Sequence, residues 1–382
     1  MTIAPPVYGG EPSNHIPSHQ KLITRHPVAA SAPVDAIIVP TARPVKYLRT
    51  AMRLARAQNC VLVALCSQRA SAEATLRMAR TARVETIAVD VADLRPGVFP
   101  ELRTSAVIRG TRFDRRTDTS MKRNFGLLLA QVAGWERIVF LDDDIAVPRP
   151  QDLNEAAGLL TDYAGVGLSI GGYWDNSVVC HAFRDAGGDQ DTFIGGGALA
   201  IGRSSYTSFF PKIYNEDWFF LLDERHLRPS AITGLAIQDR YDPYRDGRRA
   251  RSEELGDCLA EGLFALLTTG RELGEADSPL YWRTFLHKRR SFIDDVIAMV
   301  AAAPLPAEDK ARMTIALKAA RGRNWLIEPG MCVSYLRAWR DDRTVWQQFI
   351  KESGAVYSAD GPQKLLADIG LMHRYRSRLT IM

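Results

Sequence analysis

The sequence has no CxxC pair, no low-complexity tract, no internal repeat and no long apolar run. Its five cysteines, Cys60, Cys66, Cys180, Cys258 and Cys332, are odd in number, widely spaced and mostly set within apolar stretches. That pattern excludes a disulfide scaffold and points to buried reduced thiols. No segment approaches the roughly 18–20 consecutive apolar residues needed to cross a bilayer, and no N-terminal stretch joins a basic start to an apolar core. A cytoplasmic protein without a transmembrane segment is therefore expected. The net charge of +5 is mild and favours anionic ligands such as phosphates. No basic helix or aromatic–basic motif stands out, so nucleic acid is not an expected partner. With 46% hydrophobic and 24% charged residues the composition is that of an ordinary globular protein.

At 382 residues the chain exceeds the roughly 100–200 residues of a typical single core, so one large α/β unit with an appended smaller one is expected. Residues 1–33 hold Pro5, Pro6, Pro12, Pro17, Pro27 and Pro33 with little periodic hydrophobicity, which reads as an extended or disordered arm. His15 and His19 within it read as incidental, because Pro17 stands between them. From Val34 strands and helices alternate: VDAIIVP, a helix after Pro44, CVLVALC, a helix over SAEATLRMARTA, RVETIAVDV, a helix over SMKRNFGLLLAQVAG, then ERIVFLDDDI. Strand, helix, strand in short succession implies right-handed crossovers and a mostly parallel sheet. GVGLSIGGYWD, FIGGGALAIG and SAITGLAIQDRY read as further strands, with a short helix at NEDWFFLLDERH. Residues 34–250 form the α/β unit on this reading and 251–382 a C-terminal helical region. A homo-oligomer is compatible with this organisation.

ERIVFLDDDI poses the chemical question. An apolar run suited to a central strand stops in Asp142, Asp143 and Asp144, and adjacent carboxylates in a partly dry site need compensation. On an extended chain Asp142 and Asp144 share a face and Asp143 points away. Two oxygen donors at the mouth of an α/β sheet suit a hard divalent cation that keeps water and binds substrate phosphates. The bland alternative is a solvated acidic turn.

IIVPTARP at the first strand, KRNFGLLLA on the helix before the acidic motif, FLDDD, GGGALAIGR and NEDWFF occur in that order over about residues 35–240. In this the chain resembles the GT-A glycosyltransferases, above all the family-2-like enzymes that use nucleotide-diphosphate sugars. The resemblance implies a Rossmann-like GT-A fold, a nucleotide-diphosphate sugar donor, an unidentified acceptor, transfer of a hexose, and Mg2+ or Mn2+ as cofactor. Asp142 and Asp144 are then the metal ligands of the DxD motif. Pro40, Thr41, Ala42 and Arg43 line the nucleotide site, and Lys122 and Arg123 bind the nucleotide or pyrophosphate. Asp143 contacts the donor sugar or a basic side chain, while Gly196 and Gly197, with Gly195, let backbone approach donor or acceptor. Asp217 is the general base on the acceptor, with Glu216 as its neighbour, although simple N-capping of a helix explains the pair as well. The chain departs from the family at Ser67 and Gln68, where a base-binding aspartate is common. It departs again at Gln238 and Asp239, where many relatives have a histidine ligand; either residue can supply a third oxygen.

QDRYDPYRDGRRARSEE (238–254) reads as a mobile basic loop carrying Arg245, Arg248, Arg249 and Arg251, with a solvated linker as the alternative. Glu254, Asp257 and Glu261 read as a solvent-facing acidic stripe, His226 as a surface residue, and His181, near Trp174 and Asp175, as an acceptor-site candidate. The rivals from other classes are a haloacid-dehalogenase-like phosphatase, with Asp142 as nucleophile and Asp144 as acid/base, and a catalytically inactive GT-A binding module. A nucleotidyltransferase lacks its glycine-rich opening here.

Overall fold

Apolar runs that are hydrophobic at every position, not at alternate ones, belong in strands buried on both faces. A computed structural model describes residues 18–174, 176–357 and 359–371, with the backbone of 375 and 376. Its strands are β1 (Thr24–Arg25), β2 (Ala36–Thr41), β3 (Val61–Cys66), β4 (Thr86–Asp90), β5 (Arg137–Leu141), β6 (Ile145–Ala146), β7 (Gly165–Gly172), β8 (Ala198–Gly202), β9 (Ser230–Gln238) and β10 (Tyr375–Arg376). They form one sheet in the order β1-β9-β7-β8-β5-β2-β3-β4-β10, with β6 added to β9. β4 begins later than the apolar pattern implies, because Arg83 adopts φ 56° to end the preceding helix.

The helices of the α/β part are α1 (Arg49–Gln58), α2 (Ala72–Ala82), α3 (Arg103–Ile108), α4 (Thr119–Ala133), α5 (Gln151–Gly158), α6 (Val178–Asp185) and α7 (Glu216–Leu221). Alternation along the strands sorts the two faces: Ile37, Val39, Val139 and Leu141 pack with α1, α2 and α5, whereas Ile38, Ile138 and Phe140 pack with α4. Gly126 lets α4 lie close to the sheet, since a Cβ there would come 2.9 Å from Ile38 Cγ2. From Gly247 the chain is helical: α8 (Gly247–Thr268), α9 (Pro279–Ala302), α10 (Ala307–Asn324), α11 (Pro329–Tyr357) and α12 (Gly361–Asp368). Leu255, Phe264, Trp339 and Trp346 of this region share one apolar cluster with Ile38, Phe125 and Phe140.

Strand direction decides what meets at the sheet's edge. β2, β3, β4 and β5 run parallel, but β8 is antiparallel to both β5 and β7. The residues before β8 therefore lie beside the end of β5. β7 and β9 run parallel to each other and, by way of β8, in the same sense as β5, so the end of β9 comes to the same edge. β6 pairs with the last residues of β9, Ile145 with Gln238, and pins the acidic turn there.

The readings of His19 and of the basic loop need correction, and the N-terminal arm gains detail. The described portion of the N-terminal arm is docked: β1 pairs with β9, and Ala32 N–H donates to Asn154 O. Residues 1–17, with His15, lie outside the described residues. His19 is not incidental: it is buried, with Nε2 2.9 Å from Glu261 Oε2 and Nδ1 2.8 Å from Thr268 Oγ1. The basic loop is also shorter than it reads, since α8 begins at Gly247 and takes in Arg248, Arg249 and Arg251.

Candidate functional site

β5 stops at Leu141, and Asp142 to Asp144 form a turn closed by Ile145 N–H donating to Asp142 O at 3.2 Å. The chain is not extended here, so the simple alternation fails. Asp143 and Asp144 jointly hold Arg43, whose Nη2 lies 2.7 Å from Asp143 Oδ1 and 2.6 Å from Asp144 Oδ2. Thr41 Oγ1 also donates to Asp143. Asp142 faces the α4 side instead and meets Arg123 at 3.2 Å. Burial pushes the Asp142 carboxyl up to about 6, with Asp144 and Asp143 adding to the shift and Arg123 opposing it. Burial also raises Asp143, against Thr41 and Arg43.

Arg123 is 4% exposed and joins the two acidic motifs: Nη1 donates to Glu216 Oε1 at 2.6 Å and Nη2 to Asp142 Oδ1 at 3.2 Å. Its charge is spent inside the protein, and its Nε has no hydrogen-bond partner among the described residues. Burial raises Glu216, with Arg123 as the main restraint. The glycine segment before β8 closes over this guanidinium: a Cβ on Gly196 would lie 2.6 Å from Arg123 Cζ. Asp142 N–H donates to Gly197 O at 2.9 Å, and Gly196 N–H donates to Asp217 Oδ2 at 2.5 Å. Three segments distant in sequence are thus tied at one point.

Asp142 lies where two cavities meet. One, of about 230 Å³, is lined by Pro40, Thr41, Ala42, Arg43, Gln68 and the three aspartates, among others. The other, of about 390 Å³, is lined by Arg123, Gly195, Gly196, Gly197, Glu216 and Asp217, together with Arg115, Tyr214 and Trp218. Lys122 borders the smaller cavity but is neither a solvated helix charge nor an open cation. It is 2% exposed, and its ammonium meets Thr41 O at 2.8 Å, Ser67 Oγ at 2.7 Å and Asp118 Oδ1 at 3.0 Å. It ties the ends of β2 and β3 together. Ser67 is thereby occupied, while Gln68, at φ 53°, faces the cavity.

The acidic stripe of α8 faces inward, contrary to its expected exposure. Glu254, Asp257 and Glu261 are buried, and Arg289 of α9 reaches Asp257 Oδ2 at 2.5 Å and Glu254 Oε1 at 3.3 Å. Asn215 carries this network to the site, donating to Asp257 Oδ1 at 3.1 Å, and makes no side-chain cap on α7. Arg249 is bound to Glu253 at 2.6 Å and to Tyr241 at 3.2 Å, and Arg248 to Asp246, so neither is a free loop cation. His181 is buried one residue beyond the cavity-lining Cys180, with Nε2 2.7 Å from Tyr241 Oη. Burial, with Arg249 and Arg184, lowers it to about 3, so it is neutral. His226 is exposed as expected, and all five cysteines are buried and unpaired. Asp175 lies outside the described residues.

Among the described residues no group of three or more His, Cys, Asp or Glu side chains is arranged to hold a metal. Asp142 and Asp144 do open on the same cleft with oxygen donors only. That set fits a hard cation taking two protein ligands and completing its shell from water and phosphate. Asp239 comes close through its backbone, its N–H donating to Asp144 O at 2.9 Å, while Gln238 is buried in the pairing of β6 and β9. Arg115, Tyr214 and Glu253 line the larger cavity without having announced themselves in the sequence, since only long-range packing brings them there.

No family model matches the chain, and no curated protein matches it. Among solved structures, a mannosyltransferase from Pyrobaculum calidifontis in complex with GDP-Man and Mn2+ aligns over 87% of this chain and 90% of that one, at 15% identity and a TM-score of 0.40.

Proposed function

We propose that the chain is a GT-A-like glycosyltransferase that moves a hexose from a nucleotide-diphosphate sugar to an acceptor hydroxyl. The observation that carries this reading is the junction at Asp142. A cleft lined by the end of β2 and the acidic turn meets a second cavity lined by the glycine segment and the Glu216-Asp217 pair. One cavity suits the nucleotide and the other the acceptor, with the transferred sugar between them.

Asp142 and Asp144 would hold Mg2+ or Mn2+, which when bound neutralises charge on the departing diphosphate. Pro40 to Arg43 line the nucleotide cleft, and Arg43 can exchange an aspartate partner for a phosphate oxygen. Arg123 fixes Asp142 and Glu216 in place and shields the negative charge gathered around them. Asp217, fixed by Gly196 N–H and by Trp218 N–H at 2.9 Å, takes the acceptor proton on a carboxylate oxygen. Gln238 and Asp239 remain the candidates for a further oxygen ligand.

The test is a thermal-shift screen of nucleoside diphosphates and sugar nucleotides with and without Mn2+, followed by an assay for nucleoside diphosphate release. Metal-dependent stabilisation by one nucleotide class, with turnover, is expected. Hydrolysis of p-nitrophenyl phosphate without nucleotide binding would overturn the reading, and nucleotide binding without turnover would make the chain a binding module.

A further inference from the structure

α1 breaks a rule that α2 keeps. Its sequence, RTAMRLARAQ, has no acidic residue, and Arg49 opens its first turn, where the helix dipole disfavours positive charge. α2, by contrast, opens with Glu73. Lys46 on the preceding 3-10 turn, then Arg49, Arg53 and Arg56, recur every three or four residues and so share one side of the helix. All four are exposed, and none has an ion-pair partner among the described residues. The expectation that the chain holds no basic helix is corrected here. Arg49, Arg53 and Arg56 border an open groove of about 660 Å³, whose floor is Met52, Met78 and Ala82; Arg77 of α2 also lines it but is ion-paired with Glu73. Like charges three and four residues apart repel along the helix, and without acidic partners that repulsion is not offset inside the fold.

We propose that the groove between α1 and α2 docks on an anionic phospholipid surface. The unpaired cations of α1 select an anion, and the methionine floor selects an amphiphile over a free phosphate. No aromatic side chain lines the groove, which argues against stacked bases of a nucleic acid. Arg49 to Arg56 spans about 10 Å at the helical rise, enough for a few headgroups and short for seating a partner helix. The groove lies on the opposite face of the sheet from α4, so the inference stands whether or not the chain transfers sugars.

The test is co-sedimentation of the full chain with vesicles of phosphatidylcholine alone or mixed with phosphatidylglycerol, at low and high salt. Binding only to the mixed vesicles, abolished by salt, is expected. The triple variant Arg49→Gln, Arg53→Gln and Arg56→Gln should lower partitioning roughly a hundredfold, and Arg53→Gln alone about fivefold. A control triple, Arg283→Gln, Arg337→Gln and Lys351→Gln, removes the same charge from exposed positions elsewhere and should leave partitioning nearly unchanged. The single variant decides the matter if the α1 triple does not fold. Absence of vesicle binding, equal binding to neutral vesicles, equal loss in both triples, or retention on polyglutamate or DNA without vesicle binding would each overturn the proposal.

Discussion

Replacing Arg289 by methionine removes the cation that holds two buried carboxylates. Arg289 is 3% exposed and meets Asp257 at 2.5 Å and Glu254 at 3.3 Å, both themselves buried. Methionine fills most of the volume but leaves the carboxylates facing each other, and breaking such a pair from one side costs about 3–5 kcal/mol. The pH dependence follows from the direction of the shift. Burial already raises Asp257 above the ordinary carboxylate range while Arg289 restrains it. Without that restraint the folded state holds its proton to higher pH than the unfolded chain does. Stability in the variant is therefore best in acid and lost as pH rises out of the carboxylate range. Urea denaturation of both proteins at about pH 5 and about pH 8 measures this, with the larger deficit expected at the higher pH. A deficit below about 1 kcal/mol, or one equal at both pH values, would refute the reasoning. Because Asp257 also accepts from Asn215, just before the Glu216-Asp217 pair, the variant should also lose turnover at a pH where it remains folded.

Gly196→Ala should cost about 1–3 kcal/mol by thermal or urea denaturation and abolish turnover, because the new Cβ displaces the Arg123 guanidinium from its pairs with Glu216 and Asp142; wild-type behaviour would refute the contact. Asp144→Ala should keep its thermal midpoint but lose Mn2+-dependent stabilisation by nucleotide, and a retained shift would remove Asp144 from the cation site. His181 should give neutral-ring NMR shifts down to about pH 4, because its pKa is lowered to about 3. The unfolded chain then binds the extra proton, so wild-type stability falls as pH drops below about 6.5, and His181→Gln should flatten that slope.

Much of the frame is legible in the sequence, and the reason is local. Strands buried on both faces read as continuous apolar runs, and α4 ends where Gly134 takes φ 70°. The acidic turn, the glycine segment and the Glu216-Asp217 pair each stand out as short motifs. What local pattern does not carry is the wiring between them. Arg123 reaches Glu216 across 93 residues of sequence and Asp142 across 19, and His19 meets Glu261 across 242. α8 misleads for a related reason: its acidic side has the look of a solvated stripe until Arg289 and His19 are placed against it. The short α3 and α6 go unread because helices of six and eight residues depend on tertiary packing more than on propensity.

The two flanks of the sheet are finished by the chain's own extremities. β1 lies along β9 and β10 along β4, each only two residues long. An uncovered flank is a row of amide and carbonyl groups that recruits a strand from another molecule. A truncation that kept only residues 34–371, tidy by the apolar pattern, would bare β9 at Ala231 and Ile232 and β4 at Thr86 and Ile87, while β6 stays on the last residues of β9. The expected result is a protein that still folds around its core but pairs with its own copies through the exposed flanks.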